Sequence, residues 1–261
     1  MKGERLALRI DDIGAASKRY EVYARRDLAL GPVRVSGNFL FLKYLPPFKA
    51  WGPYREMRPQ EWKQVFRLLE AHGAVITVSV TAAWVNRDGS LTPFPRKFPA
   101  EAAVLREGVE SGLVEIANHG LTHCVLKGHA FRPAWRHSNR KAHREFWEHV
   151  PLTVQEEHIR RSQEILQETF GVEVITFVPP GNVFTEGTLS IAARYGLKVL
   201  SCATPPRSHP ELAIVGNERV LAFHDREIVL EGVGWLEARL ETHRGRRFCF
   251  VRDLAEGAGL P

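Results

Sequence analysis

Three groups of residues have the types and spacing of a reacting centre. Asp11 and Asp12 close the alternating stretch Leu6 to Ile10. Adjacent carboxylates at a strand end point in different directions, so one can ligate a metal while the other stays free as a base. The same pair could serve as a helix N-cap with an acidic neighbour. His119-Gly-Leu-Thr-His123 supplies two imidazoles four residues apart; on a helical turn they would share a face and could chelate one ion. Such a pair also arises by chance, the more so because seven of the eleven histidines fall between His119 and His158. Joined to Asp12 at a neighbouring strand end, it completes the two-histidine, one-carboxylate set of open zinc sites. His224 ends the apolar run Val220 to Phe223 and precedes Asp225. With an ordinary pKa of about 6.5 it can act as a general acid, or it can be a surface or backbone-bonded histidine. His243, ahead of Arg244-Gly245, sits where a cation complements a helix dipole and is the poorer candidate.

To work together, these residues must be delivered by elements that end at one rim. Strands are expected at Leu6–Ile10, Val33–Leu42 (a β-rich stretch), Ala74–Ala83, Val114–Ala117, Val174–Val178, Lys198–Ala203, Arg219–Phe223 and Arg247–Val251. Helices are expected at Ser17–Leu28, Pro59–Ala71, Pro99–Ser111, Val154–Phe170, Thr185–Tyr195 and Gly232–His243, several of them stopped by glycine. The alternation predicts an α/β fold, a distorted (β/α) barrel with mostly parallel strands, closed or nearly so. Asp11-Asp12, Asn118-His119, Pro179 to Asn182 and His224-Asp225 all follow strands, which is where parallel barrels build their active sites. Two stretches fit the alternation poorly: an aromatic and proline-rich one from Lys43 to Tyr54, extending to about residue 58, and a basic, histidine-rich one from Val125 to Pro151. Both read as long rim insertions in a single catalytic domain covering residues 1–261.

Composition narrows the function classes. With 44% hydrophobic and 25% charged residues, disorder, collagen-like repeats and a disulfide scaffold are excluded. No apolar run approaches the roughly 18–20 residues of a membrane span, and the start of the chain does not read as a signal peptide, so the cytoplasm is the expected location. The three cysteines, Cys124, Cys202 and Cys249, show no CxxC spacing. The net charge is +6, and six basic against two acidic residues place +4 of it between residues 125 and 150. This excess suits an anionic partner, but no nucleic-acid motif accompanies it.

Taken in order, Leu8-Arg9-Ile10-Asp11-Asp12, Glu115-Ile-Ala-Asn-His119-Gly-Leu-Thr-His123, Phe177-Val-Pro-Pro-Gly181, Leu221-Ala-Phe-His224-Asp225 and Gly245-Arg-Arg-Phe248-Cys-Phe250 resemble the motifs of the polysaccharide deacetylase family, carbohydrate esterase family four (NodB homology). The resemblance runs from residue 6 to about 255 and implies a divergent member. It implies that Asp11 is the general base, that Asp12, His119 and His123 bind one divalent ion (most often zinc, with Co2+, Mn2+, Ni2+ or Fe2+ as alternatives), and that His224 protonates the leaving amine. The implied activity is removal of an N-acetyl or related acyl group from a saccharide. Two departures stand out: Val178 occupies the place of the family's arginine before Pro-Pro, which orients the base, and Ser201-Cys-Ala-Thr204 lacks the family's aspartate. Pro180, Asn182, Trp135 and Arg136 are expected to touch the substrate. Trp51, Tyr54, Phe131, Trp135 and Trp147 either stack on sugar faces or pack the insertions onto the barrel. The basic insertion points to an anionic saccharide. A same-fold hydrolase of another C–N bond, such as a cyclic amide or ureide, and a non-catalytic saccharide-binding relative are the alternatives.

Overall fold

The computed structural model describes residues 4–24, 28–37, 42–124 and 144–255. In chain order the elements are β1 (Arg5–Ile13), β2 (Tyr23–Ala24), β3 (Leu28–Leu30), β4 (Val33–Val35), β5 (Lys49–Trp51), α1 (Pro59–Ala71), β6 (Ile76–Val80), β7 (Ala83–Val85), β8 (Leu91–Pro93), α2 (Phe94–Lys97), α3 (Pro99–Glu110) and β9 (Val114–Asn118). There follow α4 (Leu152–Phe170), β10 (Thr176–Phe177), α5 (Glu186–Arg194), β11 (Val199–Ser201), β12 (Ala213–Val215), β13 (Val220–His224), α6 (Asp225–Glu231), α7 (Gly234–Thr242), β14 (Arg247–Cys249) and α8 (Val251–Ala255).

Eight strands form one parallel sheet in the order β12-β11-β10-β9-β6-β1-β13, with β14 pairing the start of β1. The sheet curls into a half-barrel flanked by helices, the α/β architecture expected from the alternation. Among the described residues β12 and β13 are not hydrogen-bonded to each other. That seam is filled instead by an apolar cluster that includes Ala7, Val199, Val215, Val220, Val251 and Leu254.

Period-two alternation divides each central strand between two environments. Leu8 and Ile10 of β1 and Ile76, Val78 and Val80 of β6 join the main core with Trp62, Val65 and Leu69 of α1. The opposite face carries Arg9, Asp11, Thr77 and Ser79, all buried. Polar groups on that face satisfy one another: the Thr77 and Thr176 hydroxyls donate to Glu115 at 2.6 and 2.5 Å. The barrel interior is therefore polar at strand positions that alternate with the core, and this face leads to the site.

Two expected elements differ. Ser17–Leu28 is not a helix: Ala16–Arg19 makes one 3-10 turn, β2 follows, and β3 begins at Leu28. Lys18 explains the change. Its side chain turns inward, 1% exposed, and donates to Glu56 Oε2 at 2.7 Å and to Asp225. The Tyr54 hydroxyl donates to Asp225 at 2.9 Å. Pairing a buried cation with two distant carboxylates overrides local helix propensity. Val33–Leu42 is a strand only at Val33–Val35, paired with β3, and residues 38–41 lie outside the described residues. The 43–58 stretch is anchored by β5, which pairs antiparallel with β2. At the join, Gly52 has φ 104°, and a Cβ there would lie 1.9 Å from the Glu21 carbonyl oxygen, so this close approach requires glycine. The helix α6 had no counterpart in the sequence reading.

The Lys18 cluster holds two carboxylates with one ammonium. Burial raises the Asp225 carboxyl well above its ordinary value; Lys18 offsets this in part and Glu56 adds to it. Glu56 is raised first by burial as well, with Lys18 opposing. A carboxyl whose folded value exceeds its unfolded value of about 4 binds more protons when folded, so stability rises as pH falls through the folded value. Lys18→Met should lose roughly 3–5 kcal/mol at pH 8 by leaving these charges uncompensated. Relative to wild type it should recover part of that loss as the pH is lowered toward 5, followed by urea unfolding. A deficit that does not change with pH would show that neither carboxyl changes charge in the variant.

Candidate metal centre and active-site cleft

The two carboxylates of β1 separate at a bulge. The register of β1 against β6 shifts between Ile10 and Ile13, and Asp12 has φ 71°. Aspartate is among the residues that tolerate this left-handed conformation, and a bulge re-aims side chains at the rim of a sheet. Asp11 stays on the inner face, where Arg9 grips it from two residues back on the same strand. Arg9 Nε donates to Oδ1 and Nη2 to Oδ2, each at 2.9 Å, and Ser79 Oγ donates to Oδ1 at 2.8 Å. Arg9 Nη1 donates to Ser201 Oγ at 2.7 Å. Burial alone would raise the Asp11 carboxyl, but Arg9, with His119 and His224, holds it below the ordinary carboxylate value.

Asp12 turns to the imidazoles. Its Oδ1 lies 3.3 Å from His119 Nε2 and 3.0 Å from His123 Nε2, and one ligand atom from each of the three residues falls within 4.8 Å of the other two. Ligands placed tetrahedrally at about 2.1 Å from one zinc ion are about 3.4 Å apart, so the spacing suits a shared cation. The chemistry suits one too. His119 Nδ1 donates to the Val178 carbonyl at 2.6 Å, an outer hydrogen bond that turns Nε2 toward Asp12 as the ligating nitrogen of the ring. Burial would raise the Asp12 carboxyl, but His123, His224 and His119 together keep it well below the usual range, the charged form a metal needs.

The His119–His123 segment is not a helical turn, as the spacing had suggested. It is a loop after β9 in which Gly120 has φ 76° and His123 φ 56°. Its amides bond to side chains rather than to carbonyls one turn back: Gly120 N–H to Asn118 Oδ1, and the next three to Glu145. The imidazoles still meet, with ring centroids 4.9 Å apart.

His224 lies beside Asp11 in the β1–β13 register. Arg226 Nη2 lies 3.3 Å from its Nδ1, and Glu227 Oε2 lies 3.9 Å from the same atom. Asp11, Asp12, His119, His123 and His224 open onto one cleft of about 440 Å³. Asn182 also lines it, at φ 56° and with its Oδ1 accepting from Ala203 N–H at 2.8 Å. Pro180 is buried, and its neighbours Pro179 and Gly181 face the cleft in its place. Trp135 and Arg136 lie outside the described residues, as does Phe131. Among the described non-glycine residues, only Asp12, His123 and Asn182 have positive φ, and all three line this cleft, where strained backbone marks function.

The aromatic wall is packed. Trp51 lines the cleft, stacked on Tyr23 at 4.3 Å and with the Arg226 guanidinium 4.4 Å from its ring. Tyr54 is buried. These two rings fasten the insertion to the barrel.

Arg9 was missed in the sequence, although period two places it on the face of Asp11. Glu145 was counted there only as an acid in a basic stretch.

A curled parallel sheet with flanking helices and an aspartate–histidine–histidine cluster at its mouth defines a class of α/β protein with a candidate metal centre. The sequence matches the polysaccharide deacetylase family over residues 52–200, more than half of the chain, and the chain belongs to that family. No curated protein is similar enough in sequence to match it. Among solved structures, it is similar to a CE4 family pseudoenzyme from Bacillus anthracis (TM-score 0.51, 11% identity, 97% of this chain and 66% of that one). It is also similar to a mutant of that pseudoenzyme with restored enzymatic activity (TM-score 0.51, 12%, 97% and 68%). A third is the Xyl-CE4 domain of a multidomain xylanase from the hindgut metagenome of Trinervitermes trinervoides (TM-score 0.51, 13%, 99% and 92%). The chain thus spans just under two thirds of the first of these, and at such identities the likeness is one of fold.

His119→Ala removes one of the three candidate ligands. After equilibration with zinc and dialysis, elemental analysis should find the metal retained by wild type and lost from the variant. Equal metal content would remove His119 from the centre.

Proposed function

We propose that the protein is a metal-dependent amide hydrolase that removes an N-acetyl or related acyl group from a saccharide. One observation carries this reading: the bulge in β1 sends Asp12 to the imidazoles and leaves Asp11 beside His224, paired to Arg9 and facing the same cleft. A site meant only to hold an ion has no use for the second carboxylate.

Asp12, His119 and His123 would hold the ion, and their donor set favours zinc while admitting Co2+, Mn2+, Ni2+ or Fe2+. When bound, such an ion lowers the pKa of a water and polarises the acyl oxygen. Asp11 accepts the proton of the water that attacks the amide carbon, and the bidentate Arg9 keeps its carboxylate aligned and ionised. As the C–N bond breaks, His224 in its imidazolium form gives a proton to the departing amine nitrogen and returns to the neutral ring. The carbonyl carbon gains the water oxygen, and the acyl group leaves as its carboxylate.

Arg9 supports the catalytic reading over that of a non-catalytic saccharide-binding relative. Val178 lacks the family's guanidinium, but a guanidinium reaches the base from β1, and Ser201 anchors it. Arg144 and Arg226 line the cleft, which supports an anionic saccharide held by ionic and hydrogen-bonding groups rather than stacked on Trp51 or Tyr54. The three buried, unpaired cysteines support a reducing compartment, the cytoplasm in our reading. None of the helices among the described residues is long and apolar enough to cross a membrane.

Asp11→Asn tests the reading. With N-acetylated chitooligosaccharide as the probe, the variant should keep its metal and release acetate about 10²–10⁴-fold more slowly. Wild-type turnover in the variant would take Asp11 out of the reaction. Metal-loaded wild type that binds the sugar and releases no acetate would favour the non-catalytic relative.

A further inference from the structure

The loop that carries both imidazoles is built around a carboxylate that the reaction does not use. The Glu145 side chain is fully buried. Its Oε1 accepts from Leu121 N–H at 2.9 Å and Thr122 N–H at 3.2 Å, and its Oε2 accepts from Thr122 N–H at 3.2 Å and His123 N–H at 2.8 Å. His158 of α4 donates from Nδ1 to Oε1 at 2.6 Å and is itself buried. Three successive amides thus converge on one carboxylate, an anion cradle made by the loop itself. The cradle leaves no room for a side chain at Gly120, where a Cβ would come within 2.3 Å of Glu145 Oε2.

We infer that Glu145, anchored by His158, is the positioning residue of the metal-binding loop. The inference rests on the reading of Asp12, His119 and His123 as metal ligands and goes beyond it. His123 is both a ligand and a member of the cradle, and its left-handed backbone is held by the bond from its own amide to Glu145. One helix face ties the whole segment down. His158 holds Glu145, while Ser162 and Gln163 accept from Asn118 Nδ2 at 2.8 and 2.9 Å, and Asn118 Oδ1 accepts from Gly120 N–H at 2.8 Å. Residues four apart on a helix share a face, so α4 fixes both ends of the loop from one rigid support. A carboxylate can accept from every direction; an amide of the same size cannot. Glu145→Gln turns an NH2 group either onto the loop amides or onto His158, so some donors lose their acceptor.

The test is isothermal titration of Co2+ into the metal-free full chain, together with the visible absorption of the bound Co2+, which reports ligand geometry. Glu145→Gln should remain folded by circular dichroism, bind Co2+ about 10–100-fold more weakly and alter the spectrum, the size of effect seen when outer partners of metal ligands are lost. Ile159→Val, a buried core change one residue along α4, lowers stability without touching the loop and should leave both readouts unchanged. A folded Glu145→Gln that binds Co2+ within about threefold of wild type with the same spectrum would overturn the inference, since outer-partner effects are larger than that. Should Glu145→Gln fail to fold, His158→Gln is read by the same titration. It leaves the carboxylate and its amides in place, so weakened binding supports the inference and unchanged binding overturns it. Wild type that takes up no Co2+ would overturn the metal reading and this inference together; wild-type uptake with an unaffected variant overturns this inference alone.

Discussion

Burying several carboxylates within one small volume is the constraint on which the rest of the structure depends. Asp11, Glu56, Glu145 and Asp225 are all buried, with Asp12 half-buried among them. Removing an isolated carboxylate from water costs several kcal/mol even after relaxation. The protein meets this cost for each group by a different device. Asp11 has a bidentate guanidinium and a hydroxyl. Glu145 has three amides and an imidazole. Glu56 and Asp225 share one ammonium. Asp12 has the imidazoles of His119 and His123. The carboxylate set between two imidazoles is the one placed where a cation would sit.

The same devices set the shape of the cleft. Lys18 draws together three distant segments of the chain, the turn after β1, residues 54–56 and the start of α6. It therefore fixes the rim on which His224 stands. Arg226, on the first turn of α6, reaches both His224 and the face of Trp51. The aromatic insertion is thus coupled to the candidate acid through one guanidinium.

Much of this was legible in the sequence, and the gaps have physical causes. The strand expected over Ala74–Ala83 is found at Ile76–Val80, because a β-branched run suits a buried parallel strand whatever lies far away in the chain. Asp12, His119 and His123 could be grouped because each follows a strand, and parallel sheets deliver such positions to one rim. The helix over Ser17–Leu28 fails because its apolar and basic pattern is consistent with a helix locally, whereas Lys18 is claimed by Glu56 and Asp225, 38 and 207 residues away. The helical turn at His119–His123 fails for a related reason: the loop's donors are satisfied by Glu145, 22 or more residues further on. Local patterns report local bonding, and these segments bond at long range.

Val178 shows how far side-chain identity can shift while the geometry persists. Read as a motif, that position has lost its arginine. In the folded chain its carbonyl orients His119, a task open to any residue there, and the guanidinium that pairs with Asp11 arrives from Arg9. A strand places residues i and i+2 on one face at a fixed spacing, so Arg9 and Asp11 are held in register by β1 itself rather than by the relative placement of two loops. Ser201, from the stretch that lacks the family's aspartate, need only accept one hydrogen bond from Nη1, because the charge of Arg9 is already balanced by Asp11. A second carboxylate at that point would compete for the guanidinium and loosen its hold on the base. The valine and the serine are therefore consistent with one another once Arg9 is in place. In this chain a cation in fork geometry stands behind Asp11 although the motif position that would supply it holds valine.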